Sequence, residues 1–344
     1  MKIQEFRDKM KAAEREDLEK VAAELYRKLP KAAKEEVADP LIEDILAHKE
    51  TAKRTTAKRT TANAAVGFPA LKDEIEQFLS YVDDDLYIVP NRVVPKQKRS
   101  KWRFEMKSYI KQLERVTDDE NGEEATRLLR ELYHRLCRGC AHYIFQSEDP
   151  FRAVGISQVD LYERLLHRTF ANGYTKEKLK NMLMDAVVAD LDRETLHIQL
   201  ERAFVAALPT ADMRCLAIET AKQAVTEYEQ RLQPTTGKQR AYFLSSGEYE
   251  VREAIRNLCE TILCLGLALG EGEEKAEYYA LHSREASREQ TLYRALHIIW
   301  MMGGSAVLWK KVYDTAVREG IKPRESLERM YQEISRTGAL PEEW

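Results

Sequence analysis

Between Ser157 and Leu232 apolar residues recur every three or four positions and fall into four successive faces. Leu161, Leu165, Leu166 and Phe170 form the first face, and Leu179, Met182, Leu183 and Val187 the second. Leu196, Leu200, Phe204 and Leu208 form the third, and Met213, Ala217, Ala221, Ala224 and Tyr228 the fourth. This is the period of amphipathic helices. The breaks at Asn172-Gly173, Asp190 to Asp192 and Pro209-Thr210 leave connections of a few residues, and loops that short force consecutive helices to pack antiparallel. Stacked helical hairpins are the expectation.

The same period extends outward in both directions. Ile3, Phe6 and Met10, then Leu18, Val21, Leu25 and Leu29 before Pro30, predict a helical hairpin unit over 1–50, with a shorter helix at Leu41 to Leu46 behind Asp39-Pro40. Residues 51–66 read TAKRT-TAKRT-TANA and have too little apolar surface to order by packing, so they are expected to be a basic linker. Helices are predicted near 68–82, 102–116 and 126–145, and then at 249–269, 288–302, 307–319 and 324–336. Only at 86–95, where Leu86 to Val89 and Arg92 to Val94 sit between prolines, do β-branched residues cluster. That stretch is expected to be extended, at most a small β-ribbon. The predicted class is all-α, an α-solenoid-like or irregular multi-helical array of short antiparallel hairpins. No strict repeat aligns, and the Trp, Leu-Gly and Tyr landmarks of a tetratricopeptide unit are missing. The expected organisation is 1–50, linker 51–66, a helical segment at 67–150, the hairpin array at 151–235 and a C-terminal bundle at 236–344.

Composition agrees with this picture. Charged residues make up 33% of the 344 and the hydrophobic set 44%, with only 14 Gly and 10 Pro, which excludes wholesale disorder and favours helix. Ala254 to Leu269 and Leu292 to Trp309 are the most apolar stretches. The first is too short for a membrane span and contains Arg256 and Glu260; the second contains Arg294 and His297 and is broken at Gly303-Gly304. Both are expected to be core helices, with no membrane partner. The charged N-terminus lacks the apolar core of a signal peptide, so a cytoplasmic location is expected. Five cysteines, Cys137, Cys140, Cys215, Cys259 and Cys264, are an odd number set mostly in apolar helical patterns, as reduced buried thiols are.

Candidate chemistry is sparse. His134, Cys137, Cys140 and His142 fall within nine residues, but in one helix they do not converge, and no second ligand pair exists to close a zinc site. No metal or cofactor is therefore assigned. Asp83 to Asp85 read as a solvated turn, and Asp192 as a cap for a helix starting at Arg193. Gly266, Gly270 and Gly272 suit a helix C-terminus better than a phosphate loop. No catalytic residue is assigned either, because no nucleophile elbow, zinc-protease helix or Ser/His/Asp set is present.

What stands out is basic. From Arg92 to Lys111 the cations are Arg92, Lys96, Lys98, Arg99, Lys101, Arg103, Lys107 and Lys111, against one acid, Glu105. That is +7 in a chain whose formal charge is -3. Trp102, Phe104 and Tyr109 interleave with them. These nine residues, the eight cations and Trp102, are the candidate polyanion-binding set. The competing reading pairs the cations with the chain's own acids, Asp83 to Asp85 foremost. From the sequence the leading expectation is a non-catalytic scaffold or adaptor for another protein, because helical arrays offer long surfaces and few clefts. The alternative is a DNA- or RNA-binding protein using 92–111, and a third reading is an enzyme with scattered helical residues, which a buried carboxylate cluster with shifted pKa values would favour.

Overall fold

A computed structural model describes residues 67–117, 120–232 and 247–344, together with five isolated positions within the first thirty residues. The hairpin unit expected at 1–50 and the linker at 51–66 lie outside the described residues, those five positions apart. The chain divides into residues 1–71 and 72–344, and nearly all of the described residues belong to the second unit. Among the described residues there are fourteen helices and no strand.

The first seven helices are α1 (Phe68–Asp83), α2 (Lys96–Arg99), α3 (Trp102–Glu114), α4 (Gly122–Ala141), α5 (Pro150–Val154), α6 (Gln158–Phe170) and α7 (Lys176–Val187). The other seven are α8 (His197–Ala206), α9 (Ala211–Arg231), α10 (Glu248–Leu269), α11 (Gly272–His282), α12 (Arg288–Met301), α13 (Ala306–Arg318) and α14 (Glu325–Thr337). Starts are set by side-chain caps. Ser157, Thr175, Thr210, Ser287 and Ser305 each accept a hydrogen bond from the backbone N–H three residues on, which satisfies a donor the helix leaves open.

Most of the expected hairpin faces form the core; Phe170 and Tyr228 are half-buried, and Leu196, just ahead of α8, is 63% exposed. Leu161, Leu165, Leu166, Leu179, Met182, Leu183, Val187, Leu200, Phe204, Leu208, Met213, Ala217, Ala221 and Ala224 are all buried. Their packing departs from a linear array, however. Helix α10 contacts α7, α8, α9, α11 and α12, and its ten consecutive residues 257–266 are all buried. A helix buried all round is central, so this is the irregular multi-helical form of the predicted class. The C-terminal helices add Leu292, Leu296, Ile299, Trp309, Tyr313, Leu327 and Ile334 to a further apolar cluster. Among the described residues no helix is long and apolar enough to cross a membrane.

Several local features differ from expectation: α2 and α5 are short additions, α4 ends at Ala141 instead of 145, and three further differences have a clear cause. Residues 86–95 form successive turns and no ribbon, because Asn91 ties the segment to itself: its Nδ2 donates to the Leu86 and Val89 carbonyls at 2.7 and 2.8 Å, and its Oδ1 accepts from the Val94 N–H at 2.6 Å. Asp192 caps a turn and no helix; its Oδ1 accepts from the N–H groups of Glu194 and Thr195, while α8 begins at His197. Helix α11 is an addition, since GEEKAEYYALH shows little apolar period and buries only Gly272, Lys275, Ala276 and Tyr279.

Helix α11 reaches α10 by laying a lysine stem on a glycine. Gly270, at φ 79°, ends α10 in the left-handed region, and the chain turns back so that Lys275, 5% exposed, covers Gly266. A Cβ at position 266 would overlap Lys275 Cγ and lie 2.8 Å from its Cβ. In an isolated helix Gly→Ala gains about 1 kcal/mol. Here Gly266→Ala is expected to lose roughly 1–3 kcal/mol through overpacking, read as a lower denaturation midpoint at unchanged slope. A gain would show that α11 yields freely.

Candidate polyanion-binding face

Helix α3 has two unlike sides. Trp102, Met106, Ile110 and Leu113, spaced by four, four and three, are buried on one. Trp102 stacks on Phe145 with ring centroids 4.3 Å apart, and Tyr109 meets Phe78 edge-on at 5.5 Å. On the other side Phe104 and Lys111 are exposed. At 100° per residue, positions 104, 107 and 111 share this outer half of the helix, while Arg103, one heptad before the buried Ile110, is exposed in the first turn. Just upstream, Arg92, Lys96, Lys98 and Lys101 are exposed on the turn segment and on α2.

Two of the eight cations are instead structural. The Arg99 guanidinium donates to the Val94 carbonyl at 3.0 Å, and Lys107 Nζ donates to the Val154 carbonyl at 3.0 Å, tying α3 to α5. Trp102, placed by the sequence in the ligand-facing set, lies in the core. Phe104 is the aromatic that faces out, at 60% exposure, with the Arg103 guanidinium 4.9 Å from its ring centre.

Of the nearby acids, Asp84 and Asp85 are exposed and form no ion pair among the described residues, and the others are engaged elsewhere. Asp83 accepts two hydrogen bonds at 2.8 Å from Arg135 and one at 3.4 Å from Arg138, both on α4. Glu105 accepts from the Tyr87 hydroxyl at 3.3 Å, and Glu114 from Arg164 at 2.8 Å. The expected neutralisation of the basic segment by Asp83 to Asp85 is thus not what the structure shows. Among the described residues none of the eight cations forms an ion pair with a carboxylate. Six of them, Arg92, Lys96, Lys98, Lys101, Arg103 and Lys111, are both exposed and without an acidic partner.

Three other clusters bear on function. In the cysteine segment Cys137 is buried and accepts from Gln158 Nε2 at 3.4 Å, Cys140 donates to the Leu136 carbonyl at 3.4 Å, and His134 contacts Asp185 at 2.9 Å. Burial pushes the Cys140 thiol up to about 12, away from nucleophilic reactivity. Among the described residues no three His, Cys, Asp or Glu side chains are placed to hold a metal ion.

The second cluster was invisible in the sequence. Glu201 on α8 is fully buried, and neither carboxylate oxygen has a hydrogen-bond partner. Glu260 on α10 lies close enough to interact and accepts from Arg294 of α12 at 2.8 and 3.2 Å. Glu285, its side chain 1% exposed, accepts from the Tyr279 hydroxyl at 3.1 Å and sits 3.7 Å from Arg256. Burial, then the neighbouring Glu260 charge, pushes Glu201 well above the carboxylate range. This is the buried carboxylate group that an enzyme reading would need, yet four clefts among the described residues are lined by neither Glu201 nor Glu260.

The third feature is an apolar groove of about 510 Å³ between α11, α12 and α13, floored by Ala276, Ala280, Leu292, Ala295 and Ala316. Leu281 at its edge is 76% exposed. Its charged rims are already paired, Lys311 with Glu273 at 2.6 Å and Arg288 with Glu319 at 2.7 Å.

No protein-family model matches this chain, and neither the curated proteins nor the solved structures yield a match to it.

Proposed function

We propose that this chain binds nucleic acid through the exposed cations of the Arg92 to Lys111 segment, gripping phosphates without reading sequence. The observation behind this is the pairing pattern. Six exposed cations lack an acidic partner, while Asp83 and Glu114 are held by other arginines and Glu105 by the Tyr87 hydroxyl. Like charges this dense repel one another, and a phosphate backbone relieves that repulsion while releasing its own counterions. Phosphate contacts orient a protein but carry no base information.

The salt dependence follows from the count. With six phosphates engaged, log K falls with log salt at a slope of roughly -4 on single strands and -5 on duplex. Raising salt from about 50 to 200 mM should therefore weaken binding by roughly 300- to 2,000-fold. Substituting Lys96→Glu, Lys98→Glu, Lys101→Glu and Arg103→Glu together spares Arg99 and Lys107, which hold backbone. That variant is expected to keep the wild-type circular dichroism and melting temperature and to lose about a hundredfold in affinity at low salt. If wild type binds neither single- nor double-stranded oligonucleotides at low salt, or the reversed variant binds equally well, the proposal is wrong.

The scaffold reading keeps one supporting observation, the apolar groove between α11 and α13 with Leu281 exposed beside it. Such grooves accept amphipathic helices. Leu281→Glu would abolish retention of a protein partner on that reading and leave oligonucleotide binding unchanged.

A further inference from the structure

We infer that the nucleic acid held by this face is single-stranded, with one unstacked base lying on the Phe104 ring. The inference rests on the proposed phosphate binding and adds what kind of strand it takes. Its starting point is how differently the aromatics of this region are used. Tyr87 and Trp102, 4% and 5% exposed, belong to the core, and Tyr109 is half-buried with its ring edge against Phe78. Phe104 alone of this group is turned outward, at 60% exposure.

Its surroundings are those of a stacking site. Phe104 shares the outer half of α3 with Lys111, which lies two turns on, about 10 Å along the axis, and the exposed Arg103 stands next to it in the first turn. The exposed Val93, at 56%, precedes it on the turn segment. The Arg103 guanidinium sits 4.9 Å from the ring centre, close enough to interact with its π-face. With most of the ring still open, a planar base can lie against it while cations on either side hold the flanking phosphates.

A duplex cannot use this arrangement. Its bases are stacked inside and it offers the protein surface only phosphates and sugars, against which a phenyl ring gains little. A single strand can splay a base outward, and every base has a π-face, so the contact tolerates any sequence. An acidic peptide would satisfy the cations but has no planar group for the ring.

The test compares wild type, Phe104→Ala, Phe104→Trp and the four-site charge reversal by fluorescence anisotropy at low salt. The probes are a twelve-nucleotide oligothymidine, a twelve-base-pair duplex and a polyglutamate of equal charge. Because the ring is on the surface, Phe104→Ala should fold as wild type does, which circular dichroism checks. It is expected to lose about 5- to 100-fold on oligothymidine and to bind the duplex unchanged. Phe104→Trp should restore single-strand binding, and its fluorescence should be quenched on adding oligothymidine. If Phe104→Ala weakens neither probe, or both equally, stacking is overturned, while the phosphate reading survives provided that charge reversal still abolishes binding. If charge reversal leaves every probe bound, the phosphate reading itself falls. Polyglutamate binding as tightly as oligothymidine would overturn both.

Discussion

Arg294→Met is expected to lower the stability of the fold by about 3 kcal/mol at neutral pH, measured by chemical denaturation. Among the described residues Arg294 is the cation hydrogen-bonded to Glu260, which is 1% exposed in the middle of α10. Methionine preserves the length and packing of the stem but leaves the buried Glu260 carboxylate without its hydrogen-bonding cation. Breaking a buried pair by removing one partner typically loses about 3–5 kcal/mol. The lower end applies because the Arg294 side chain is itself 36% exposed and part of its charge is already screened. Glu260 can escape the penalty by taking up a proton, so the deficit should shrink as pH falls toward 5. A variant as stable as wild type at pH 8 would mean that Glu260 is not ionised in the native state.

Glu201→Met is expected to do the opposite. A fully buried side chain whose two oxygens have no partner forfeits roughly 1–3 kcal/mol of solvation, and methionine fills the same space without that loss. The gain should also depend on pH. Burial and Glu260 raise the folded-state pKa of Glu201 far above its ordinary 4.5, so the native state holds a proton that the unfolded chain releases. From about pH 4.5 upward to the folded value, wild type therefore loses stability as pH rises, by up to about 1.4 kcal/mol per unit. The variant lacks this slope, so its advantage should widen from pH 5 to pH 8. Equal pH dependence in the two proteins would show that Glu201 carries its charge in the fold.

These two residues also mark where the sequence stops being readable. The hairpin faces were legible because fourteen of their apolar residues recur at helical spacing and are buried. Glu201 sits in the third of those helices at the edge of its apolar face, where nothing in the local pattern marks a carboxylate as buried. What buries it is α10, packed from a distant part of the chain, and local periodicity carries no trace of that. Helix α11 was missed for a related reason: its contact with α10 uses Gly266, Gly272 and the stem of Lys275, none of which registers as hydrophobic. The basic segment was visible as composition, but its availability was not. That depended on Asp83 pairing with Arg135 and Arg138, 52 and 55 positions away. The alternation of Trp102, Phe104 and Tyr109 with cations was equally visible, whereas only the core packing separates the outward Phe104 from the other two.

The position of α10 limits how this fold can change over generations. In a solenoid each unit touches only its neighbours, so hairpins can be duplicated or deleted and the array lengthens or shortens. Here five helices share the surface of one, and removing a hairpin that contains any of those five would strip part of a segment whose residues 257–266 are all buried. The part of the chain around α10 is held to a fixed set of helices. It can diversify by exchanging residues on its outer faces but not by gaining or losing modules, which accounts for helical hairpins that follow one another without a repeating sequence period.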